Sequence, residues 1–146
     1  DLRVFNKNNH YLSFYVHNAY RANIGKIISI LKYSSDSNDE SIKNFAKNLC
    51  MHIAALKPEA IDENNLEQTT IDKELNIQKE LIASSGKPAN VIDKILEGKM
   101  KKFYSEVTLL NQSFVLDPDK SVKEVINSNH KDKKFEIDMF NYLSLE

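Results

Sequence analysis

The chain has 146 residues, of which 20 are basic and 21 acidic, so its formal net charge is −1. This length is enough for one domain with a hydrophobic core, and the near-zero charge argues against a general binder of nucleic acid or another polyanion. The sequence has three glycines (Gly25, Gly86 and Gly98) and no glycine-rich phosphate loop. We therefore exclude a nucleotide-binding enzyme of either common glycine-loop type.

The single cysteine, Cys50, excludes an intramolecular disulfide and a thiolate zinc site, and it fits a reducing, cytoplasmic setting. No apolar run approaches the ~20 residues that cross a bilayer, and no signal peptide opens the chain, so we expect no membrane partner. The sequence begins at Asp1, without a methionine, and an apolar segment follows at once. We therefore expect a fragment of a longer protein.

The beginning of the chain predicts β-structure. Residues 2–5 and 12–16 are short segments rich in aromatic and β-branched side chains, which predict two strands joined by a polar loop. Residues 26–33 predict a buried strand because the run is short, apolar and β-branched. The segment 18–25 predicts a loop that carries His17 at its mouth.

A long helix is predicted next. Ser37, Asn38 or Asp39 can cap its first turn, and Pro58 ends it near Lys57. Apolar residues at spacings of three and four define its buried face: Ile42, Phe45, Ala46, Leu49, Ile53 and Leu56.

The middle of the chain predicts two helices with narrow apolar stripes. Gly86 and Pro88 suit a tight turn between them, and the second helix runs to about Tyr104. Two consecutive helices joined in this way predict an antiparallel hairpin. Because the stripes can bury each other and little else, we expect the hairpin to project from the body.

The last part of the chain predicts a turn at 117–119, a short helix capped by Ser121, a loop at 131–134 and a final strand that starts at Phe135. The predicted fold class is α+β, with a small antiparallel sheet packed with helices and a protruding antiparallel helical (coiled-coil) hairpin. Residues 1–61 and 105–146 form the predicted body, and residues 62–104 form the inserted hairpin.

Single residues give weak functional signals. Cys50 and His52 lie two positions apart on a helix and point about 200° apart, so they do not form a nucleophile–base pair. The lysines at 99, 101 and 102 beside two aromatic residues are better explained by a solvated helix face than by direct nucleic-acid binding. The acidic residues Asp117, Asp119 and Glu124 lack the spacing of a calcium loop, so we expect no metal and no cofactor.

Five collinear segments resemble bacterial elongation factor Ts. Residues 51–58, Met-His-Ile-Ala-Ala-Leu-Lys-Pro, are similar to its M-H-I-A-A-x-x-P segment, and residues 97–103, Glu-Gly-Lys-Met-Lys-Lys-Phe, are similar to E-G-R-M-K-K-F. Residues 85–88 resemble the S/E-G-K-P turn, residues 112–115 resemble Q-P-F-V, and residues 15–18, Tyr-Val-His-Asn, resemble the Y-x-H segment. Together they span about residues 3–140.

The resemblance implies a guanine-nucleotide exchange factor that promotes GDP release from elongation factor Tu during translation elongation, and not an enzyme. The implied partner is elongation factor Tu in its GDP and nucleotide-free forms. The implied partner-binding residues are His17, Tyr15 and Asn18, and a homodimer is compatible with the sequence. The family's T-D-F-V segment does not occur in this sequence. We therefore expect the carboxy-terminal, dimerisation part of such a factor, which does not promote exchange alone.

Two other functions are left open by the residues themselves. One is a helical-hairpin adaptor for protein–protein interaction outside translation, in which the motifs are structural. The other is an enzyme, which would require a pocket that holds Cys50 and His52 in mutual contact.

Overall fold

The structure, a computed structural model, describes residue 4 and residues 10–83, 88–129 and 134–145. Its strands and helices, in chain order, are β1 Tyr11–Arg21, β2 Ile24–Ser35, α1 Glu40–Leu56, α2 Gln68–Ala83, α3 Ala89–Val107, β3 Ser113–Phe114, β4 Asp117–Ser121, α4 Val122–Asn129 and β5 Phe135–Ser144. A short 3-10 turn, Glu63–Asn65, precedes α2. The α+β fold class with a small antiparallel sheet is confirmed. None of the helices among the described residues is long and apolar enough to cross a membrane.

The chain divides into two compact units. One consists of residues up to Lys57 together with residues from Phe114 onward, and the other is Pro58–Ser113. Among its described residues, the first unit contains a three-stranded antiparallel sheet in the order β1-β2-β5. The helix α1 packs against β1 and β2.

The prediction of a loop at 18–25 is wrong. β1 continues to Arg21 and β2 begins at Ile24, so a two-residue turn joins two long strands. The pairing continues through a bulge between Ala19 and Arg21, and Asn18 has a positive φ of 51°. The backbone of this segment therefore pairs although its side chains are exposed. The polar composition of the segment did not indicate this pairing. As a result, His17 lies within a strand and pairs with Ile27.

The predicted strand at 2–5 falls outside the described residues except for Val4, which is not in a strand. The predicted strand at 26–33 is confirmed and is longer at both ends, and the final strand extends to Ser144.

The predicted turn at 117–119 is wrong, because β4 pairs there with β3 in a separate two-stranded sheet. Pro118 is compatible with this strand because a two-stranded sheet consists of edges only.

The long helix is confirmed, but Leu56, which was predicted on its buried face, is 43% exposed. The carboxylate of Asp39 accepts a hydrogen bond from the backbone N–H of Ile42 at 3.0 Å, which caps the first turn, and Lys57 ends the helix in the left-handed conformation. The buried face of α1 packs on the sheet, where Ser29 is fully buried and its hydroxyl donates to the carbonyl of Cys50 at 2.6 Å. This hydrogen bond fixes α1 against β2.

Aromatic rings fill the core of the same unit. The ring centroids of Tyr33 and Phe135 are 4.9 Å apart in a stacked arrangement. The centroid of the Phe45 ring lies 5.0 Å from that of Phe135, edge-on, and 6.0 Å from that of Phe114.

The capping prediction for Ser121 is confirmed, because its hydroxyl donates to Glu124 at 2.8 Å and accepts from the backbone N–H of Glu124 at 3.3 Å. This reciprocal arrangement starts α4.

The second unit contains α2 and α3, which contact each other. The chain segments before α2 and after α3 are tied together by backbone hydrogen bonds. Glu59 donates to the carbonyl of Val107 at 2.8 Å, and Leu109 donates to that of Ala60 at 2.9 Å. The predicted turn at residues 85–87 lies outside the described residues. The predicted antiparallel, projecting hairpin and its limits at 62 and 104 stay predictions.

Candidate partner-binding site

Two of the three predicted partner-binding residues lie together on β1. The Tyr15 hydroxyl is 3.1 Å from Nδ1 of His17, and their ring centroids are 6.0 Å apart. In a strand, residues two apart point to the same face, which here is the face that carries the buried Ser29 and Leu31 of β2. Tyr15 and His17 therefore point toward the α1 side of the sheet.

An apolar groove of about 400 Å³ begins at this ring pair. Its walls come from three parts of the first unit, namely the sheet, the end of α1 and the segment after β3. The lining residues are Tyr15, His17, Ile27, Met51, Ala54, Ala55, Val115 and Leu116. We call this surface the His17 groove.

The sequence explains why the groove is present. Met51, Ala54 and Ala55 have the i, i+3, i+4 spacing that places side chains on one face of a helix. Two of these side chains are single methyl groups, which leave space between α1 and the sheet. The apolar side chains of Ile27 and Val115 complete the walls.

The rim of the groove has a hydrogen-bonding group. When the Tyr15 hydroxyl donates to Nδ1 of His17, the ring proton lies on Nε2. Within the part of the chain that the structure describes, Nε2 has no hydrogen-bond partner, and His17 is exposed. In this tautomer, Nε2–H is available to donate to another molecule.

Asn18 is not among the residues that line the groove. It has a positive φ of 51° and lies next to the β1 bulge, and asparagine tolerates this conformation better than most residues. The sequence did not single out Ile27, Met51, Ala54, Ala55, Val115 and Leu116 as site residues. The signal was nevertheless present for five of them, because Met51, Ala54, Ala55 and Val115 lie in segments that resemble the family and Leu116 follows one.

The residues considered for other chemistry have structural roles. Burial raises the pKa of the Cys50 thiol to about 12, and Cys50 and His52 are both fully buried. Asp117 pairs with Lys120 at 2.9 Å, while Glu124 caps α4. Among the described residues, no three His, Cys, Asp or Glu side chains form a group that could hold a metal ion.

The first unit is thus an α+β module that presents an apolar groove with an aromatic, hydrogen-bonding rim. The sequence profile of the family described as Elongation factor TS matches residues 2–145. Because this match covers nearly the whole chain, the chain belongs to the elongation factor Ts family.

Individual relatives agree with this assignment. Elongation factor Ts of Ehrlichia ruminantium (strain Welgevonden) is 40% identical over 128 residues, which are 88% of this chain and 44% of that relative. The protein of the same name from Rickettsia felis is 35% identical over 133 residues, 90% of this chain and 43% of the relative. That of Erythrobacter litoralis is 39% identical over 132 residues, again 90% and 43%. The chain spans less than half the length of these curated relatives.

Proposed function

We propose that this chain is the part of an elongation factor Ts that contacts the GTPase elongation factor Tu, and that the whole factor promotes GDP release from that GTPase during translation in the cytoplasm. Membership of the family supports this function over an adaptor outside translation. The observation that carries the proposal is the His17 groove, because three family segments that are far apart in sequence converge on it.

The mechanism is differential binding rather than bond chemistry, so the chain acts as a binding protein and not as an enzyme. An exchange factor that binds the nucleotide-free GTPase more tightly than the GDP form lowers the affinity for GDP by the same factor. No Thr-Asp-Phe sequence occurs in this chain. We therefore expect this chain to supply contact with the GTPase and to leave the distortion of its nucleotide site to other parts of the factor.

The groove suits an apolar side chain of the GTPase. Burial of such a side chain against Met51, Ile27 and Val115 would supply affinity, since an apolar contact gains roughly 25 cal/mol per Å² of surface removed from water. The Nε2–H of His17 would donate to an acceptor at the rim. Tyr15 would hold the imidazole in the orientation that this contact needs.

A release assay tests whether this chain binds the GTPase without promoting GDP release. Elongation factor Tu is loaded with the fluorescent analogue mant-GDP, and its release is measured with the chain, with a full-length elongation factor Ts and with neither. We expect the chain to bind the GTPase and to leave the release rate within about twofold of the spontaneous rate. Acceleration of release comparable to that of the full-length factor would refute the claim that this chain does not promote exchange alone.

A substitution tests the groove itself. We expect His17→Ala to weaken binding of the chain to elongation factor Tu by about tenfold, because a residue at the edge of a desolvated pocket contributes about 1 kcal/mol or more. The matched control is Tyr20→Ala, which removes an exposed ring from the same strand outside the groove. Equal effects of the two substitutions in calorimetric titrations would contradict the role of His17.

We also propose that residues 62–104 form an inserted antiparallel hairpin. The hydrogen bonds of Glu59 to Val107 and of Leu109 to Ala60 support this proposal, because they join the points where the chain departs and returns. The test replaces 62–104 with a short Gly-Ser linker. We expect the remainder to keep a cooperative urea transition and the NMR shifts of the Tyr33 core. Loss of both would contradict the boundaries.

We further propose that the chain forms a homodimer through the sheet face opposite α1. Leu12, Phe14 and Met139 point to that face and are 40%, 51% and 38% exposed. Two such faces can pack as a sandwich. Light scattering during size-exclusion chromatography tests this: we expect a dimer for the wild type and a monomer for Met139→Glu. A wild-type monomer at 100 µM would refute it.

A further inference from the structure

The first unit has a second groove, of about 560 Å³, on another side of α1. Its walls come from α1, β3, β4 and α4. The lining residues are Ser41, Asn44, Phe45, Asn48, Phe114, Leu116, Asp117 and Val125. We call this surface the asparagine groove. It adjoins the His17 groove, because Leu116 lines both.

Two asparagines of α1 supply most of the hydrogen-bonding groups of this groove. Asn44 is exposed and Asn48 is half-buried, and their i, i+4 spacing places both side chains on one face of the helix. Asparagine is less favourable than alanine in a helix interior. Within residues 10–83, 88–129 and 134–145, neither carboxamide has a hydrogen-bond partner. Both carboxamides are therefore available to another molecule.

The spacing of the two carboxamides matches the backbone of an extended peptide. Residues i and i+4 of a helix are about 6 Å apart along the axis, and alternate residues of an extended chain are about 6.7 Å apart. The N–H and C=O groups of one extended residue point to the same edge, as do those of the residue two positions later. A carboxamide has a donor and an acceptor. Each asparagine can therefore pair with both backbone groups of one peptide residue.

We propose that the asparagine groove binds an extended, uncharged peptide segment of a partner protein through its backbone. Asn44 and Asn48 bond alternate residues of this segment, and an apolar side chain of the segment packs on Leu116, which is 55% exposed. A helical segment does not suit the groove, because its backbone groups already pair with each other. This inference does not depend on the proposed role in nucleotide exchange.

The charges of the groove favour a peptide over a nucleic acid. Among the described residues that line it, none is a lysine or arginine and one, Asp117, is acidic. Its carboxylate lies 2.9 Å from Nζ of Lys120. A nucleic-acid surface needs several cations for the phosphates, and this groove does not supply them. The absence of cations on its walls also gives no basis for selecting an acidic peptide.

The test is an NMR titration of the whole chain with a seven-residue peptide that is acetylated, amidated, leucine at positions 3 and 5 and serine elsewhere. We expect saturable shifts of the side-chain NH₂ signals of Asn44 and Asn48 and of the Leu116 methyl signals. The same peptide with N-methyl groups on residues 2–6 should bind at least tenfold more weakly, because it lacks the backbone donors.

A pair of double variants completes the test. We expect N44A/N48A to weaken peptide binding by tenfold or more and to raise the thermal midpoint, since alanine is the better helix former. The matched control N64A/N76A removes two exposed asparagines of the second unit and should weaken binding less than twofold. A higher midpoint together with weaker binding separates loss of the site from loss of the fold.

Several results would overturn the proposal. Equal weakening in the two double variants, or equal binding of the N-methylated peptide, would show that the carboxamides do not bind the backbone. A lower midpoint of N44A/N48A would assign them a structural role. Displacement of the peptide by an oligoadenylate would indicate a nucleic-acid surface. Slow solvent exchange of both NH₂ groups in the free chain would show a groove that is already filled, by a second copy if the exchange slows with concentration. Absence of binding at 1 mM peptide would also refute it.

Discussion

The backbone N–H of Val115 donates to Nδ1 of the His52 ring across 3.4 Å. The ring is fully buried and lies 5.8 Å from the ring of Phe114. Because Nδ1 accepts this bond, the imidazole proton lies on Nε2. The contact joins the end of α1 to the segment after β3. Met51, which precedes His52, and Val115, the donor of this bond, are on two walls of the His17 groove.

We predict that His52→Ala destabilises the first unit by about 2–4 kcal/mol, because it leaves a cavity and removes the acceptor of the half-buried Val115 N–H group. Urea unfolding followed by the fluorescence of the tyrosines measures the change. His17→Ala is the matched control, since the same truncation at an exposed position should change the free energy of unfolding by no more than ~0.5 kcal/mol. Similar losses in both variants would contradict the structural role of His52.

We predict that Gly25→Ala distorts the site from a distance. A Cβ atom on Gly25 would lie 2.5 Å from Cγ1 of Val16 and 2.7 Å from the backbone oxygen of His17. One of these contacts is with backbone, so β1 must shift, at a cost of about 1–3 kcal/mol. We expect a lower thermal midpoint together with weaker binding of elongation factor Tu.

Gly98→Ala is the control for this substitution, because a Cβ atom on Gly98 would meet nothing within 4 Å. Alanine in a helix interior is favoured over glycine by about 0.5–1 kcal/mol. We therefore expect Gly98→Ala to raise the thermal midpoint and to leave partner binding unchanged. A Gly25→Ala chain with wild-type stability would show that the strand accommodates the methyl group without displacement.

We predict that the Cys50 thiol reacts only when the first unit unfolds. The side chain is fully buried, and burial raises its pKa to about 12, so very little thiolate is present at neutral pH. The rate of reaction with a chromogenic disulfide reagent at pH 7.5 should therefore follow the unfolded fraction through a urea titration. A fast reaction in the absence of urea would show that α1 opens locally.

The sequence predicted the parts of the fold in which side-chain pattern and backbone conformation coincide. The long helix is an example, because Asp39 supplies its cap and the apolar spacing from Ile42 defines its buried face. The extension of β1 beyond Val16 was not predictable in this way. Its backbone pairs with β2 through Ala19 and Arg21, but those side chains are exposed and carry no alternating pattern.

The candidate site was predictable in part for a similar reason. The resemblance to the family pointed to His17 and Tyr15. Their side chains meet because residues two apart in a strand point to the same face. The groove beside them depends on where α1 lies over the sheet, and that position is set by tertiary contacts such as the hydrogen bond from Ser29 to the carbonyl of Cys50. No local pattern in the sequence encodes such a contact between residues 21 positions apart.

The Lys32–Asp138 pair predicts a pH dependence of stability. Nζ of Lys32 is 2.6 Å from the Asp138 carboxylate, and the hydrogen bond from Lys32 lowers the pKa of Asp138 below its ordinary value. A carboxyl group with a lowered folded-state pKa stabilises the fold above its unfolded pKa, near 4, and this contribution is lost as the pH falls through the folded value. We therefore expect Asp138→Asn to lower the urea midpoint at about pH 6 and to lower it by less at about pH 3. Glu97→Gln, on an exposed position of α3, is the control. It should leave the change in urea midpoint between the two pH values as it is in the wild type. An Asp138→Asn chain whose deficit is equal at both pH values would show that the pair acts through packing and not through charge.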